Sequence, residues 1–468
     1  MSGVAGFKDI GFPGRGTDAD AVMKLLYAKK HNLFAKMYKG SNTFRTIPKD
    51  SGGQGKAMDQ PFFVTTGGAV SHDFKAAFNL AVNQSTGPGF TAAKFGWDNM
   101  YAHWAMDVKQ KKQMPGRGKG SYIGSLRQTM ERTKERMERL RLAHIFGDGS
   151  GTLGRVGTAA VGSSLGAITF YLENITQVIY FERDIQFQVG TTSTATSVVK
   201  QGSKDLIFKV TEIDRKARKV VCKVVDDDGT DTTSGVTAAQ AVAALAKNRY
   251  LFGKGDVVLI PTVGPDGLPN YGGTRVMPGF AAWCPETLAA NDNFFGVNRN
   301  QDRNRLAGVV HEVDTTDTER EYQNTLISAS YVQETLGGRI SNVVMNPLHY
   351  RDFTVELGKS AEFKKMDVSG YNKGVPGFKV LRVATDKGEM MVHTDIHCPP
   401  GVAWGYVPSD WKICSLDQFI HVWNEDGRIV DRIQSENKVG GAIQSYATMI
   451  CRNPLNLARI KLPAIRNV

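Results

Sequence analysis

The segment from Ser121 to Phe146 limits the possible folds of this chain more than any other part of the sequence. Its seam positions recur at spacings of three and four, at Ile123, Leu126, Met130, Thr133, Met137, Leu140 and His144. This spacing predicts one long α-helix that buries a narrow stripe, and Glu135 with Arg139 adds an i,i+4 ion pair. The glycine-rich run at residues 147–151 predicts where the helix ends.

The same region carries most of the positive charge. The chain has a net charge of +12, and from Lys109 to Arg141 eleven basic residues face only three acidic ones. Such a stripe indicates contact with a polyanion, whereas a solvated helix face or salt bridges between subunits are the alternatives. The candidate residues for contact with DNA or a neighbouring subunit are Lys109, Lys111, Lys112, Arg117, Lys119, Arg127, Arg132 and Arg136.

Length and hydropathy define the broad class. A chain of 468 residues exceeds what one hydrophobic core normally serves, so we expect two or three packed units. No apolar run approaches the roughly 18 residues of a membrane span. Asp9, Asp18 and Asp20 stand where a signal peptide would be apolar, which predicts a soluble protein made in the cytoplasm.

The cysteines indicate a reducing environment. Their number is odd and no pair has C-x-x-C spacing, so we expect buried, reduced thiols rather than a disulfide framework. They are Cys222, Cys284, Cys398, Cys414 and Cys451.

The first hundred residues suggest appendages rather than a core. Residues 1–60 predict a flexible arm with one short helix, for which Thr17 and Asp20 have capping-box spacing. Two strand-like runs, Phe74–Val82 and Phe90–Val108, are separated by turn residues and predict a long hairpin. Because an isolated ribbon is marginal in water, we expect it to dock on another subunit.

Residues 160–275 predict a small β-barrel or sandwich inserted into the chain. Turn residues separate the short apolar runs, notably at Asp226-Asp227-Asp228-Gly229. The predicted strands are Ile168–Tyr171, Ile185–Val189, Leu206–Ile213, Val220–Val225 and Val257–Ile260.

The pattern becomes mixed α/β from Thr318 onward. Thr318 and Glu321 predict a capping box for a helix that ends at the glycine pair 337–338. Asn346-Pro347 predicts the start of a second helix, which ends at Gly358. The predicted strands are Ile340–Met345, Lys379–Val383, Met390–Ile396 and Val402–Val407.

Three local motifs match known functional signatures in the wrong setting. Residues 149–154 match G-x-G-x-x-G, but a dinucleotide site needs a strand before the glycines and a helix after them. Residues 162–166 match G-x-S-x-G, but a nucleophile elbow joins a strand to a helix, and His and Asp partners are not evident. The acidic run 226–229 lacks the alternating ligands of a calcium loop and predicts a hairpin turn.

His393, Asp395 and His397 form the strongest candidate metal site. The two-residue period of a strand would place the three side chains on one face, beside Cys398. A fourth ligand is not identifiable, and the following Pro399-Pro400 indicates the end of the strand. We therefore predict no catalytic residue, metal or cofactor, and keep the trio as a weak candidate.

The order of these segments resembles the shared capsid fold of tailed double-stranded DNA bacteriophages. In that fold an N-arm, an E-loop hairpin, a spine helix with a peripheral domain, and an axial domain follow one another. Three short sequence segments strengthen the resemblance: residues 146–151 after the long helix, residues 343–347 with Tyr350, and the closing Leu462-Pro463.

The resemblance implies an α+β fold with a long spine helix, an extended E-loop hairpin, an axial α/β domain and an inserted small β-barrel or sandwich domain. Its expected divisions are an N-arm at 1–60, the E-loop hairpin at 61–118, the spine helix and the start of the peripheral domain at 119–155, the inserted β-domain at 156–275, a peripheral or connecting segment at 276–317, the axial domain at 318–440, and a C-terminal return to the peripheral and axial core at 441–468.

The resemblance also implies a structural protein rather than an enzyme. Its subunits would form pentamers and hexamers of an icosahedral shell, assembled in the host cytoplasm, that expands during maturation. Expected partners are a scaffolding protein, a portal, decoration proteins and non-specifically contacted DNA, with no membrane. An encapsulin-like compartment shell is one alternative, and a metal-dependent nucleic-acid-binding enzyme is an alternative of another class.

Overall fold

The structure is a computed structural model that describes residues 41–63, 71–83, 90–107, 119–192, 198–201, 204–232, 235–254, 256, 276–290, 292–317, 319–358, 381–385, 388–423, 431–433 and 438–465. Its α-helices are α1 (Asn42–Thr46), α2 (Phe74–Asn83), α3 (Lys119–His144), α4 (Ala238–Ala244), α5 (Phe280–Trp283), α6 (Arg303–Leu306), α7 (Glu321–Thr335) and α8 (Pro347–Gly358). Helices and strands are mixed along the chain, as the sequence predicts.

In the described part of the chain, the strands fall into two larger sheets, a barrel and three short ribbons. They are β1 (Lys49–Asp50), β2 (Ala57–Phe63), β3 (Phe90–Gly96), β4 (Asp98–Asp107), β5 (Gly154–Ser164), β6 (Ala167–Leu172), β7 (Gln186–Gly190), β8 (Lys200–Gln201), β9 (Lys204–Asp205), β10 (Ile207–Asp214), β11 (Lys219–Val225), β12 (Tyr250–Gly253), β13 (Asn293–Phe294), β14 (Val297–Asn298), β15 (Val309–His311), β16 (Asn342–Met345), β17 (Leu381–Thr385), β18 (Gly388–Thr394), β19 (Val402–Tyr406), β20 (Trp411–Ser415), β21 (His421–Val422), β22 (Asp431–Ile433), β23 (Lys438–Cys451) and β24 (Ala458–Lys461).

The first sheet is organised around the long strand β23. This strand pairs antiparallel with β4, β20, β21 and β22, and β1 adds to β20 in parallel. Helix α3 packs against the sheet through Met130 and Met137, which are both buried in the same hydrophobic core as Trp411 and Ile443. This core therefore joins segments from the beginning, the middle and the end of the chain.

Helix α3 is the long helix that the seam predicts. It spans Lys119–His144, close to the predicted Ser121–Phe146, and Ile145 and Phe146 are buried immediately after it. The chain returns to this point at Gly279, where an added Cβ would collide with the carbonyl oxygen of His144. The close approach allows the amide of Phe280 to donate to the carbonyl of Ile145 at 2.7 Å.

The barrel is closed in the order β10-β11-β6-β5-β12-β7. Four of the five predicted strands are found in it within one or two residues, and 257–260 lies outside the described residues. Two strands that the sequence did not indicate, β5 and β12, complete the closure. The barrel has a hydrophobic core of its own, which includes Phe170, Phe187 and Phe208.

The second sheet has the strand order β15-β24-β19-β16-β18-β17, and helices α7 and α8 pack on its apolar face. The predicted capping box is wrong, because α7 begins at Glu321 with Arg320 as its N-cap, while Thr318 lies outside the described residues. Glu356 of α8 instead accepts the backbone N–H groups of Tyr322 at 3.1 Å and Gln323 at 2.9 Å. A carboxylate from a neighbouring helix thus satisfies the free amides of the first turn.

The hairpin prediction is corrected in its first half. Residues 74–83 form helix α2 rather than a strand, and the ribbon consists of β2 paired antiparallel with β3 from Ala57–Gly96 to Phe63–Phe90. The predicted run Phe90–Val108 is found as two strands, β3 and β4, and β4 joins the first sheet. The predicted helix of the N-terminal arm lies outside the described residues.

All five cysteines are buried and free, as predicted. Burial raises the pKa of Cys284 to about 12 and that of Cys414 to about 11. Within the described residues, no helix is both long enough and apolar enough to cross a membrane.

Candidate assembly surfaces and predicted site residues

The basic stretch is divided between described and undescribed residues. Lys109, Lys111, Lys112 and Arg117 lie outside the described residues, and the side chains of Lys119 and Arg127 on α3 are likewise not described. Arg132 and Arg136 of the candidate set are exposed on α3.

Two further arginines of the stretch are engaged within the chain itself. Arg141 is fully buried; its guanidinium contacts the Asp98 carboxylate and donates to the backbone oxygens of Asp98 at 3.0 Å and Ser445 at 2.8 Å. Arg139 forms an ion pair with Glu182 of the barrel at 2.5 Å. Part of the positive charge therefore holds α3 to the first sheet and to the barrel.

The candidate trio does not share one strand face. Strand β18 ends at Thr394, so Asp395 and His397 lie in the turn that follows it. The Asp395 carboxylate accepts the backbone N–H of His397 at 3.0 Å and the hydroxyl of Ser41. Among the described residues, no group of three His, Cys, Asp or Glu side chains is placed to hold a metal ion.

The trio instead lies where three parts of the fold meet. His397 Nδ1 lies 3.2 Å from the Tyr180 hydroxyl of the barrel, and His393 Nε2 lies 3.3 Å from the Tyr406 hydroxyl of the second sheet. Ser41, at the N-cap of α1, brings the amino-terminal segment to Asp395. All three trio side chains are buried.

Burial controls the ionisation of this junction. Desolvation lowers the pKa of His393 to about 4, against the opposing pull of the Asp395 charge. The pKa of His397 is lowered for the same reason, and burial raises the pKa values of the Tyr180 and Tyr406 hydroxyls. Neutral histidines in hydrogen bonds to tyrosines act as structural connectors at this junction.

The glycine and serine motifs occupy turns, as their sequence context indicates. Residues 149–154 connect the end of α3 to the beginning of β5, so a helix precedes them. Residues 162–166 end β5 and turn directly into β6. Neither motif has the strand-to-helix geometry that its chemistry requires.

The acidic run also forms a turn between strands. Asp228 accepts the backbone N–H of Thr230 at 2.9 Å, and Lys254 lies 3.8 Å from the Asp227 carboxylate. These contacts fit the predicted turn that follows β11.

Helix α2 exposes an aromatic pair that sequence reasoning missed. Phe74 is 86% exposed and Phe78 is 58% exposed, and their rings stack with centroids 6.4 Å apart. The i,i+4 spacing of these phenylalanines is the signal that could have indicated a helix with one apolar face. The pair is an apolar surface that the described part of the chain does not cover.

A second exposed apolar surface lies at the end of α7. Tyr331 is 44% exposed and Val332 is 46% exposed, and Leu336 immediately after the helix is 39% exposed. Buried Tyr322 and Leu326 of the same helix face the core of the second sheet. The spacing of Tyr322, Leu326, Ala329, Val332 and Leu336 predicts one apolar, buried face for this helix, and the structure corrects it at Val332 and Leu336, which are exposed.

No family model matches the chain, and no curated protein matches it. Among solved structures, a cyanophage A-1(L) capsid asymmetric unit is 9% identical and aligns with 89% of this chain and 90% of its own, with a TM-score of 0.44. The capsid of an empty GTA particle is 8% identical, with 91% and 98% aligned and a TM-score of 0.40. The holo-SrpI encapsulin complex from Synechococcus elongatus PCC 7942 is 7% identical, with 92% and 91% aligned and a TM-score of 0.37. None of these TM-scores reaches 0.5.

Proposed function

We propose that this chain is the major capsid subunit of a tailed double-stranded DNA bacteriophage and assembles into pentamers and hexamers of an icosahedral shell. The order of the segments along the chain and the short sequence segments that resemble the capsid family support this function. We assign α3 as the spine helix, the β2–β3 ribbon with α2 as the E-loop, the second sheet with α7 and α8 as the axial domain, and the barrel as the inserted domain. No catalytic step is assigned to any residue.

The exposed aromatic pair of α2 is the observation that carries the proposal. Burying one large apolar side chain contributes about 1.5–3 kcal/mol. Phe74 and Phe78 leave this contribution unused in the described subunit, because both rings are exposed. A neighbouring subunit that covers α2 would supply it, which is what a shell built from repeated contacts requires.

The second apolar surface favours a closed assembly over a simple dimer. Tyr331, Val332 and Leu336 lie at the end of α7, which packs on the second sheet, whereas α2 lies between the two strands of the ribbon whose Phe62 and Phe95 join the first core. A subunit with two different apolar surfaces can make heterologous contacts, and such contacts generate rings and shells when their rotation closes.

The proposed contact with packaged DNA is electrostatic and independent of base sequence. Arg132 and Arg136 are exposed on α3, and they supply the described part of the candidate basic set. Contacts between such side chains and phosphates release counterions and weaken as salt rises. Contacts with a scaffolding protein, a portal and decoration proteins, assembly in the host cytoplasm, and expansion on maturation belong to the same proposal.

Electron microscopy of the expressed chain tests the proposal. We expect shells, tubes or hexameric rings from the wild type in negative stain, alone or with a scaffolding partner. The double variant Phe74→Ser/Phe78→Ser should remain unassembled with an unchanged melting temperature, because both side chains are exposed. Val161→Ser is the matched control, since Val161 is a 63% exposed apolar residue of the barrel and should leave assembly intact.

Other outcomes would separate the alternatives. Wild-type monomers that persist with a scaffolding partner, or a double variant that assembles like the wild type, would contradict the proposal. Shells that contain a cargo enzyme and no nucleic acid would favour an encapsulin-like compartment. A monomer with bound metal and turnover would favour the nucleic-acid-binding enzyme.

A further inference from the structure

The imidazole ring of His349 is held on both sides. His349 is the third residue of α8 and is fully buried. Its Nδ1 lies 2.8 Å from the Tyr322 hydroxyl, and its Nε2 accepts the backbone N–H of Gly401 at 2.6 Å. A backbone N–H can only donate, so Nε2 must keep its lone pair. The ring is therefore neutral, and Nδ1–H donates to Tyr322.

These two hydrogen bonds connect three elements. Tyr322 lies in the first turn of α7, and Gly401 lies in the turn between β18 and β19. Gly401 has a φ of +84°, and its carbonyl accepts the N–H of Leu462, just after β24, at 2.9 Å. The ring thus joins both helices to the strands of the second sheet.

Among the described residues, few charged groups near His349 favour its protonated form. On α8 itself, Asp352 favours a protonated ring, although its carboxylate is also paired with Arg351 at 2.8 Å. The other carboxylate of α8, Glu356, accepts hydrogen bonds from the backbone amides of α7. Helix α7 presents the Tyr322 hydroxyl to the His349 ring, and the 399–401 turn presents the Gly401 amide. Burial is the stronger influence and lowers the pKa of His349 to about 4.

We propose that His349 is an acid-sensitive lock, which holds the first turn of α7 and the 399–401 turn on α8 and opens when the ring gains a second proton. A proton on Nε2 would turn the acceptor of the Gly401 N–H into a donor, so two donors would face each other across the contact. The lock depends on the fold of the second sheet alone and is independent of the proposed shell function.

Proton linkage sets the expected size of the effect. In the open state the ring would have its ordinary pKa of 6.5, whereas in the closed state the pKa is about 4. Between these values, each unit of acidification favours opening about tenfold, and the dependence ends above 6.5 and below about 4.

Hydrogen exchange of the full chain, measured by mass spectrometry at pH 7, 6 and 5, tests the lock. Peptides containing Tyr322 or Gly401 are normalised to the same peptides of the unfolded chain at each pH, which removes the chemical pH dependence. We expect the opening constant to rise about tenfold per pH unit below about 6.5 in the wild type. His349→Gln should show no such rise, because an amide can both accept and donate without titrating. The control His72→Gln, at an exposed histidine, should behave like the wild type.

Two results would overturn the lock: a wild type without the rise, or His349→Gln with the full rise. If His349→Gln does not fold, Tyr322→Phe provides the test, because it removes the Nδ1 contact and keeps the Nε2 contact. Tyr322→Phe should open the first turn of α7 more at pH 7 and retain the pH dependence around Gly401. Unchanged exchange of α7 in this variant would also contradict the lock.

Discussion

At the scale of single residues, Arg141 belongs to a basic stretch that the sequence suggests is exposed, yet its side chain is buried and stabilises the fold. The Asp98 carboxylate that it contacts also accepts the backbone N–H of Met277 at 2.8 Å. One ion pair thus connects α3, β4, β23 and the segment before α5. The sequence could predict the basic stretch, but not which of its members would be buried, because that depends on the position of Asp98 in the folded chain.

Removal of one partner of this pair should be strongly destabilising. Arg141→Met leaves the buried Asp98 without its cation, and breaking a buried pair in this way costs about 3–5 kcal/mol. Urea unfolding should show the loss as a lower midpoint. Arg132→Met, on the exposed side of the same helix, should change stability by less than about 0.5 kcal/mol. Equal effects of the two substitutions would contradict the structural role of Arg141.

At the scale of elements, the local pattern of apolar residues predicted the helices and strands whose burial depends on residues close by in the sequence. The seam of α3 and the alternating strands of the barrel follow this rule, because their apolar periods match one helix face or one sheet face. Residues 74–83 do not follow it: the turn residues after Asn83 suggested a strand, although Phe74 and Phe78 have helical spacing. Strands β5 and β12 were missed because barrel closure, rather than their own pattern, selects them.

The barrel core gives a prediction at this scale. The Phe187 ring lies 5.8 Å from Phe170, 5.8 Å from Phe181 and 5.4 Å from Phe208, between ring centroids. Phe187→Ala should therefore cost about 3–5 kcal/mol. Because the barrel has its own core, exchange protection should fall in β10 and β11 and remain in β16 and β19. Tyr171→Ala, at a 37% exposed position, is the control, and an equal loss of protection in the second sheet would contradict independent packing.

At the scale of the whole molecule, buried histidines couple stability to pH. Burial lowers the pKa of His144 to about 3 and those of His349 and His393 to about 4, from 6.5. Because each of these histidines binds a proton more readily in the unfolded chain, the folded state is destabilised as the pH falls from 6.5 toward 4, whereas above pH 6.5 this effect is absent. Three buried carboxyl groups have the opposite effect: burial raises the pKa of Glu138 to about 7 and that of Asp256 to about 6, and it also raises the pKa of Asp98. In the described residues they are outnumbered by the five histidines whose pKa burial lowers.

We therefore expect the folded state to lose stability between pH 6.5 and 4.5. Each buried histidine contributes up to about 1.4 kcal/mol per pH unit in this range. The urea midpoint measured at half-unit steps should decrease, and His349→Gln should flatten the slope. A midpoint that stays constant or rises on acidification would show that the carboxyl groups dominate.

The pairing of β4 with β23 also determines when the molecule can finish folding. Partners such as Asp98 and Ala447 are more than 300 residues apart in the chain, so this contact order is high. At about 5–20 residues per second, the ribosome needs roughly 15–70 s to deliver β23 after β4 has been made. During that interval β4 lacks the strand that pairs with it, although α3 can already pack on β4 through Arg141 and Asp98. Until its last strands are made, the nascent chain exposes an unpaired strand edge that favours aggregation, whereas the barrel strands are close together in sequence and can pair earlier.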